Sequence, residues 1–406
     1  MRVVVLADYG HITGGASQVA VGSLNSLAEA GMDVVFVSGT GPVDPTIHRD
    51  KVEIVNFGLY DILQNPSKVD ASIKGIWNSQ SAERVREVLA TCDPADTIVH
   101  LHTWTRSLSS SVVHAVASLG FKMVCTLHDY FAICPNGGLY IFPEEKHCQL
   151  RPMSLSCVAC NCDTQSYAQK LWRVGRHLVQ QQLGGIPSQI KYFITVSDYS
   201  EKLLRPWLPS SSEFFRVSNP IQVVRTAPAP VGSNHAFTFV GRLSKEKGPD
   251  LFAEAALLAN VPAVFVGSGP RLENVAAINK SATLLGWKDQ AGVASAFQGS
   301  RALVFPSLWH ETQGLSVLEA AASGVPAIVS DACAAREAII DGETGLLFRS
   351  GDASDLSAKL TLLDRDAAFA ARIGSNAYNR YWSAPSTLES HTSQLIACYQ
   401  KILKRD

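Results

Sequence analysis

The sequence predicts an α/β protein of two doubly wound domains, and three observations carry that expectation. Short, nearly continuous apolar runs alternate with helix-length segments through both halves of the chain. These runs lack the polar alternation of half-solvated strands, so they read as parallel strands covered on both faces. The 406 residues exceed what one hydrophobic core ordinarily serves, and the proline-bearing stretch PIQVVRTAPAPVGSNH after Asn219 marks a break near the middle.

In order, Val3–Ala7 is the first strand. It runs straight into Asp8, which makes the N-terminus a buried strand rather than a signal peptide. Gly14 and Gly15 lead into a helix over Ala16–Ala30 that Gly31 ends, and Val34–Val37 follows as a strand. Residues 40–90 show no regular pattern and are expected to form an irregular acceptor-side region. Strands at Ile98–Leu101 and Met123–Leu127 flank a helix over Leu108–Leu119, and Tyr192–Val196 closes the set. A second alternation places strands at Phe237–Val240, Ala263–Val266, Thr283–Leu285, Ala302–Phe305 and Ala327–Val329, with helices at 249–259, 270–278, 289–298 and 313–323. Leu388, Leu395, Ile396, Tyr399 and Leu403 give a terminal helix expected to pack back across the domain seam. The expected domains are 1–220, with a cysteine-rich insertion near 134–162, then 221–385, then the helix of 386–406.

A net charge of -1, with 46% hydrophobic and 17% charged residues, gives no global signature of nucleic-acid binding. No run approaches the roughly 18 apolar residues of a spanning helix. The expectation is a cytoplasmic protein touching at most the surface of the inner membrane. Among nine cysteines, Cys134, Cys148, Cys157, Cys160 and Cys162 fall within one insertion. In a reducing compartment such clustering favours metal over disulfide. Cys148, Cys157, Cys160 and Cys162 suffice for a tetrahedral structural zinc, with Cys134 or His147 as substitutes; free buried thiols are the alternative.

The chemistry concentrates at strand ends. In FPSLWHETQGLSVLEAAASGVPAIVSD (305–331) a strand empties into a turn bearing Glu311, and a helix opens near Gln313 and Gly314 with Glu319 two turns in. The first-turn amides of that helix favour an anion, while the carboxylates suit sugar hydroxyls, so a phosphate and a sugar are expected together. After Phe237–Val240, GRLSKEKG offers Arg242 and Lys247 to one diphosphate. Gly14-Gly15 permits close backbone approach before a helix but lacks the GxGxxG dinucleotide pattern. His128 and Asp129 follow another strand, where histidine can meet a sugar oxygen or a developing charge; a structural histidine is the alternative. His102 is the weaker candidate, and Trp104 either stacks on an acceptor or plugs the domain surface.

Together these segments, with GSGP at 267–270 and DGETGLLF, resemble the family 4 glycosyltransferases over nearly the whole chain. These are retaining enzymes of GT-B fold, in which two Rossmann-like domains face across a cleft. The resemblance implies a nucleotide-diphosphate sugar donor (UDP- or GDP-linked) and a glycan acceptor, lipid-linked where the enzyme serves surface polysaccharide or lipopolysaccharide synthesis. It implies that Arg242 and Lys247 neutralise the diphosphate, Glu319 holds the ribose and Glu311 the donor sugar, and amides from Gln313, Gly314 and Leu315 complete the cradle. Gly267 and the Gly286-Trp287 strand end would line the nucleotide, and His128 would face the transferred sugar. Ser197 matches a position near such sites, with a helix cap as its alternative. Relatives often carry phenylalanine where this chain has Gln313, so the loop gives no donor-sugar preference. No catalytic cofactor is implied, since the cations take the charge of the leaving diphosphate. A nucleotide-sugar epimerase and a non-catalytic sugar-nucleotide-binding subunit are the competing readings. Behind the insertion, QKLWRVGRHLVQQQL sets Leu171, Val174, Leu178 and Leu183 near one helical face. Lys170, Arg173, Arg176 and His177 lie elsewhere, as a basic surface for anionic lipid or as an ordinary solvated helix.

Overall fold

The apolar runs are the strands of two parallel sheets in a computed structural model that describes residues 1–405. In chain order the first sheet gathers β1 (Arg2–Tyr9), β2 (Asp33–Thr40), β3 (Val52–Asn56), β4 (Thr97–Leu101) and β5 (Lys122–Thr126). A short hairpin follows, β6 (Tyr140–Ile141) and β7 (Lys146–His147), before β8 (Tyr192–Thr195) and β9 (Glu213–Arg216) complete the sheet. The second sheet comprises β10 (Ala236–Val240), β11 (Ala263–Val266), β12 (Thr283–Gly286), β13 (Ser300–Phe305), β14 (Ala327–Ser330) and β15 (Gly345–Phe348).

The strand orders are β3-β2-β1-β4-β5-β8-β9 and β12-β11-β10-β13-β14-β15. Both sheets therefore reverse direction beside their first strand. In open parallel sheets, the crevice beyond the strand carboxyl ends at that reversal is where ligands bind.

The unbroken apolar runs have a direct cause. In β1, Val4 and Leu6 join one buried cluster while Val3, Val5 and Ala7 join another, and Val35 and Val37 separate from Val34 and Phe36 in the same way. Successive side chains point to opposite faces, so a strand covered on both sides needs apolar residues at every position. β10 behaves alike, with Phe237, Thr238 and Phe239 all buried.

The chain separates into two units. One comprises Met1–Leu139, Gln149–Pro220 and the segment from Leu388 onward; the other comprises Ile221–Thr387 together with Tyr140–Cys148. The terminal helix Leu388–Leu403 thus belongs to the first unit, where Leu395, Cys398, Tyr399 and Ile402 enter the cluster beneath β1 and β2.

Residues 40–90 are more regular than the sequence reading allowed. They hold β3 and two helices, Lys68–Ile76 capped by Ser67 and Ser79–Leu89 capped by Asn78. The pattern was hidden because β3 is a sheet edge with Glu53 in solvent, and because Val69 and Ile73 of the first helix are exposed. An apolar residue facing water breaks the periodicity by which a buried face is recognised.

Candidate functional site

In the second unit the loops beyond β10, β11 and β12 are laced together past the sheet. The Gly241 N–H donates to Val266 O (3.0 Å), Leu243 N–H to Ser268 O (2.9 Å) and Gly267 N–H to Gly286 O (2.8 Å). This closeness demands glycine. A β-carbon on Gly267, at φ 140, would stand 1.9 Å from the Gly241 carbonyl oxygen, and one on Gly269, at φ 158, would stand 2.4 Å from Leu243 O. The GSGP motif is therefore required by loop packing, whatever else it touches.

At the β10–β13 reversal, the loop after β10 carries Arg242 and Lys247 and the loop after β13 carries Glu311. Lys247 Nζ is ion-paired with Glu311 Oε1, and Ser307 Oγ donates to the same carboxylate oxygen at 3.0 Å. Lys247 Nζ also lies 5.4 Å from the centroid of the Trp309 ring. Arg242 is exposed and forms no ion pair among the described residues. Gly314 is the N-cap of the helix Leu315–Ala322 and has no side chain with which to cap it. A β-carbon on Gly314 would meet Ala335 Cβ at 2.5 Å. Glu319 lies within this helix as a half-buried carboxylate. Burial pushes its pKa above the ordinary carboxylate value, and no ion pair offsets it. Gly286 adopts φ 69 at the end of β12, leaving Trp287 as a large, 73% exposed aromatic. The structure thus brings Lys247 and Glu311 into contact. It places Arg242, Gly267, Gly286, Trp287, Gln313, Gly314, Leu315 and Glu319 at the strand ends and first helical turns of the same unit.

The remaining candidates lie in the first unit. His102 follows β4 and His128 follows β5; His102 Nδ1 and His128 Nε2 are 2.9 Å apart. His100 continues the polar chain behind them, bonded to Tyr399 OH (2.6 Å) and Thr126 Oγ1 (2.7 Å). Burial pulls His128 and His100 down to about 3 and His102 well below its usual value, so these rings are neutral at pH 7. Asp129 accepts from the Phe131 N–H (2.9 Å), and burial raises its carboxyl to about 6.

Three expectations are corrected here. Trp104 is 4% exposed and donates to Gln180 Oε1 (3.0 Å), so it is part of the core and offers no stacking surface. The Ser197 hydroxyl caps the helix Asp198–Leu204 by accepting from Ser200 N–H (2.9 Å), which occupies it structurally. Gly14 and Gly15 do open a helix, but Ser17 Oγ accepts from the Thr13 and Gly14 amides (2.8 and 3.1 Å), using N–H groups an anion would need.

Comparison with known proteins agrees with this geometry. Residues 225–380 match the family described as glycosyl transferases group 1. A phosphatidyl-myo-inositol mannosyltransferase of Mycobacterium leprae is 27% identical over 229 residues, 52% of this chain and 59% of that protein. An Escherichia coli UDP-Gal:alpha-D-GlcNAc-diphosphoundecaprenol alpha-1,3-galactosyltransferase is 34% identical over 113 residues, 24% of this chain and 28% of that protein. The likeness thus spans less than two thirds of either relative. Among solved structures, sucrose-phosphate synthase from Thermosynechococcus elongatus aligns with a TM-score of 0.72 at 20% identity, over 99% of this chain and 98% of that one. Anabaena Alr3699/HepE in complex with UDP aligns at 0.66 and 16%, over 99% and 100%. The fold is GT-B: two doubly wound α/β units.

Outside residues 225–380, two further expectations change. Among the described residues, no three His, Cys, Asp or Glu side chains gather as a metal ion would require, so the set Cys148, Cys157, Cys160 and Cys162 is not assembled. Cys148 groups with the second unit, while Cys157 and Cys162 are buried in the first, and the Lys170 ammonium lies 3.7 Å from Cys157 Sγ. The helix Tyr167–Gln182 is turned inside out relative to its expected basic face. Lys170, Arg176 and His177 are buried, Arg173 pairs with Asp163 at 2.8 Å, and Leu171 and Leu178 are 44% and 48% exposed.

Sequence reading also missed Ser307, Trp309 and His310 around Glu311, and the hairpin β6–β7 that packs beside them. His147 had been considered only as a substitute metal ligand. Nothing in the hairpin's own sequence signals which unit it will join.

Proposed function

We propose that the protein transfers a hexose or deoxyhexose from a nucleotide-diphosphate sugar to a hydroxyl of a glycan acceptor, with retention at the anomeric carbon. The observation that carries this reading is the Lys247–Glu311 ion pair at the β10–β13 reversal, next to the N-terminus of the helix that Gly314 begins. A lysine paired with a carboxylate can exchange that partner for a phosphate, leaving the carboxylate to accept from sugar hydroxyls. Arg242 has no competing partner to give up and would bind the same diphosphate as a fork. Glu319 sits in an environment that disfavours its charge, and hydrogen bonds from a ribose diol would relieve that cost. Trp287 would stack on the nucleotide base.

In the proposed reaction the bond from the anomeric carbon to the diphosphate breaks as the acceptor hydroxyl attacks from the same face. The hydroxyl proton passes to a diphosphate oxygen. Arg242, Lys247 and the helix amides stabilise the charge that gathers on the leaving group. His128, held neutral, would hydrogen-bond a sugar hydroxyl rather than supply a cation.

Support for the donor class comes from Anabaena Alr3699/HepE, solved in complex with UDP and with UDP-glucose. The E. coli relative's name supports an acceptor of the lipid-diphosphate saccharide kind. No helix among the described residues is long and apolar enough to cross a membrane. Contact with a lipid-linked acceptor would use the exposed Leu171 and Leu178, with Val69 and Ile73 of the adjoining helix.

The test is product analysis with nucleotide sugars and a lipid-diphosphate saccharide, beside thermal shifts with UDP and GDP. A glycosylated acceptor is expected, with a nucleotide-induced shift weakened in Arg242→Ala and Lys247→Ala. An isomerised nucleotide sugar with no transfer would identify an epimerase instead, and binding without turnover a non-catalytic subunit.

A further inference from the structure

The segment Tyr140–Cys148 lies in sequence between β5 and β8 of the first sheet, yet it belongs to the second unit. Its strands pair antiparallel, Tyr140 with His147 and Ile141 with Lys146. Glu145, in a left-handed conformation at the turn, is ion-paired to Lys245 at 2.7 Å. The His147 ring stacks on His310, with centroids 3.7 Å apart and planes at 23°. The hairpin thus rests on the loop that carries Glu311, next to the side chain preceding it.

Its polar atoms are unusually placed. The Leu308 N–H already donates to Glu246 O (2.8 Å), so the Leu308 backbone group that favours a protonated His147 ring is its carbonyl, which sets a ring N–H toward it. His147 Nε2 is buried without a partner, which makes Nδ1 the donor and leaves Nε2 with a bare lone pair, since burial keeps the ring neutral. Tyr140, 1% exposed, sets its ring edge-on to His147 at 6.1 Å, and its hydroxyl is also unpartnered. So is Trp309 Nε1, on the ring that Lys247 approaches. Each such orphan is costly to leave unpaired in a buried position. Two O–H or N–H donors and one bare acceptor beside Glu311 match a polyhydroxylated ligand.

We propose that this hairpin forms part of the donor-sugar pocket. His147 Nε2 accepts from a hydroxyl of the transferred sugar, and Tyr140 OH and Trp309 Nε1 donate to sugar oxygens. The assignment rests on the donor site argued above and makes Tyr140 and His147 determinants of which sugar is accepted. It also explains why an insertion in one unit's sequence supplies a surface to the other unit's site.

His147→Phe keeps a ring on His310 but removes the acceptor, and Tyr140→Phe removes only a hydroxyl. Both are titrated calorimetrically with UDP and GDP, then with UDP-glucose, UDP-galactose and GDP-mannose, after thermal melts establish folding. The expected result is diphosphate affinity within about two-fold of wild type, with about 3- to 10-fold weaker binding of the preferred sugar nucleotide, the equivalent of one hydrogen bond. Sugar-nucleotide affinity unchanged in both variants overturns the proposal. So does an equal loss for diphosphate and sugar nucleotide, which would make the hairpin a prop for the phosphate loop. Wild-type protein that binds no nucleotide at all removes the donor site itself, a separate failure visible before any variant is made.

Discussion

Under the proposed function Lys247 has two competing partners, Glu311 and the donor diphosphate, and that competition predicts opposite effects for two substitutions. The Lys247 side chain is 27% exposed and that of Glu311 8%, so water screens the pair from one side only. Lys247→Met removes a charge-assisted hydrogen bond to phosphate, valued at about 1.5–3 kcal/mol, or roughly 10- to 150-fold in affinity. The low end is expected, because the wild-type lysine must first leave Glu311. Glu311→Gln frees the lysine and removes a negative charge next to the diphosphate. At roughly 8 Å and an effective dielectric near 20 that repulsion is about 2 kcal/mol before salt screening and about 1 after it, or some five-fold in affinity. Bare UDP or GDP, whichever wild type binds, should therefore bind more weakly to Lys247→Met and more tightly to Glu311→Gln. Transfer activity should fall in both. Isothermal titration at fixed ionic strength reads the two constants. Unchanged nucleotide affinity in Lys247→Met, or a Glu311→Gln variant weakened as much as the lysine variant, would refute the shared-lysine reasoning.

Three further outcomes follow from the same geometry. Gly267→Ala should cost about 3 kcal/mol or more and sharply lower the yield of folded protein, since its β-carbon would overlap the Gly241 carbonyl; an unaltered melting temperature would contradict the lacing of the loops. Glu319→Gln should leave the nucleotide-free protein as stable as wild type or more so at pH 7 while weakening nucleotide binding. Because burial raises the native carboxyl pKa, the wild-type deficit should shrink as pH falls and the side chain protonates, which paired melts across pH 4–7 would reveal. His100 and His128 are neutral in the fold with pKa values near 3, against about 6.5 unfolded, so the unfolded chain binds more protons between those values. Stability should be fully present above about pH 6.5 and fall below it, by up to about 1.4 kcal/mol per pH unit for each ring; His100→Gln should flatten the acid limb of a urea-midpoint profile.

Much of the donor side could be read along the chain because its residues are local to strand ends. Glu311, Gly314 and Glu319 lie on one strand–turn–helix passage, and Arg242 and Lys247 on another, so sequence spacing already fixes their placement relative to each parallel strand. The first unit was less legible. Trp104 and Ser197 looked available because their neighbours are polar, yet Gln180 and the Ser200 amide, respectively, had already engaged them. The helix Tyr167–Gln182 misled for the same reason: its periodicity was visible, but which face turned inward depended on Asp163 and on the buried thiols around Lys170.

By itself the sequence determined two parallel sheets, because strands buried on both faces must be apolar at every position, and it determined the tight loops beyond β10 and β11, because only glycine permits those approaches. The tertiary structure alone decided that Lys247 and Glu311 would meet, that three histidines would stay neutral, and that the hairpin at Tyr140–Cys148 would join the second unit. Each of these is a contact between segments distant in the chain, set by packing within one unit rather than by any period or motif within the segments themselves.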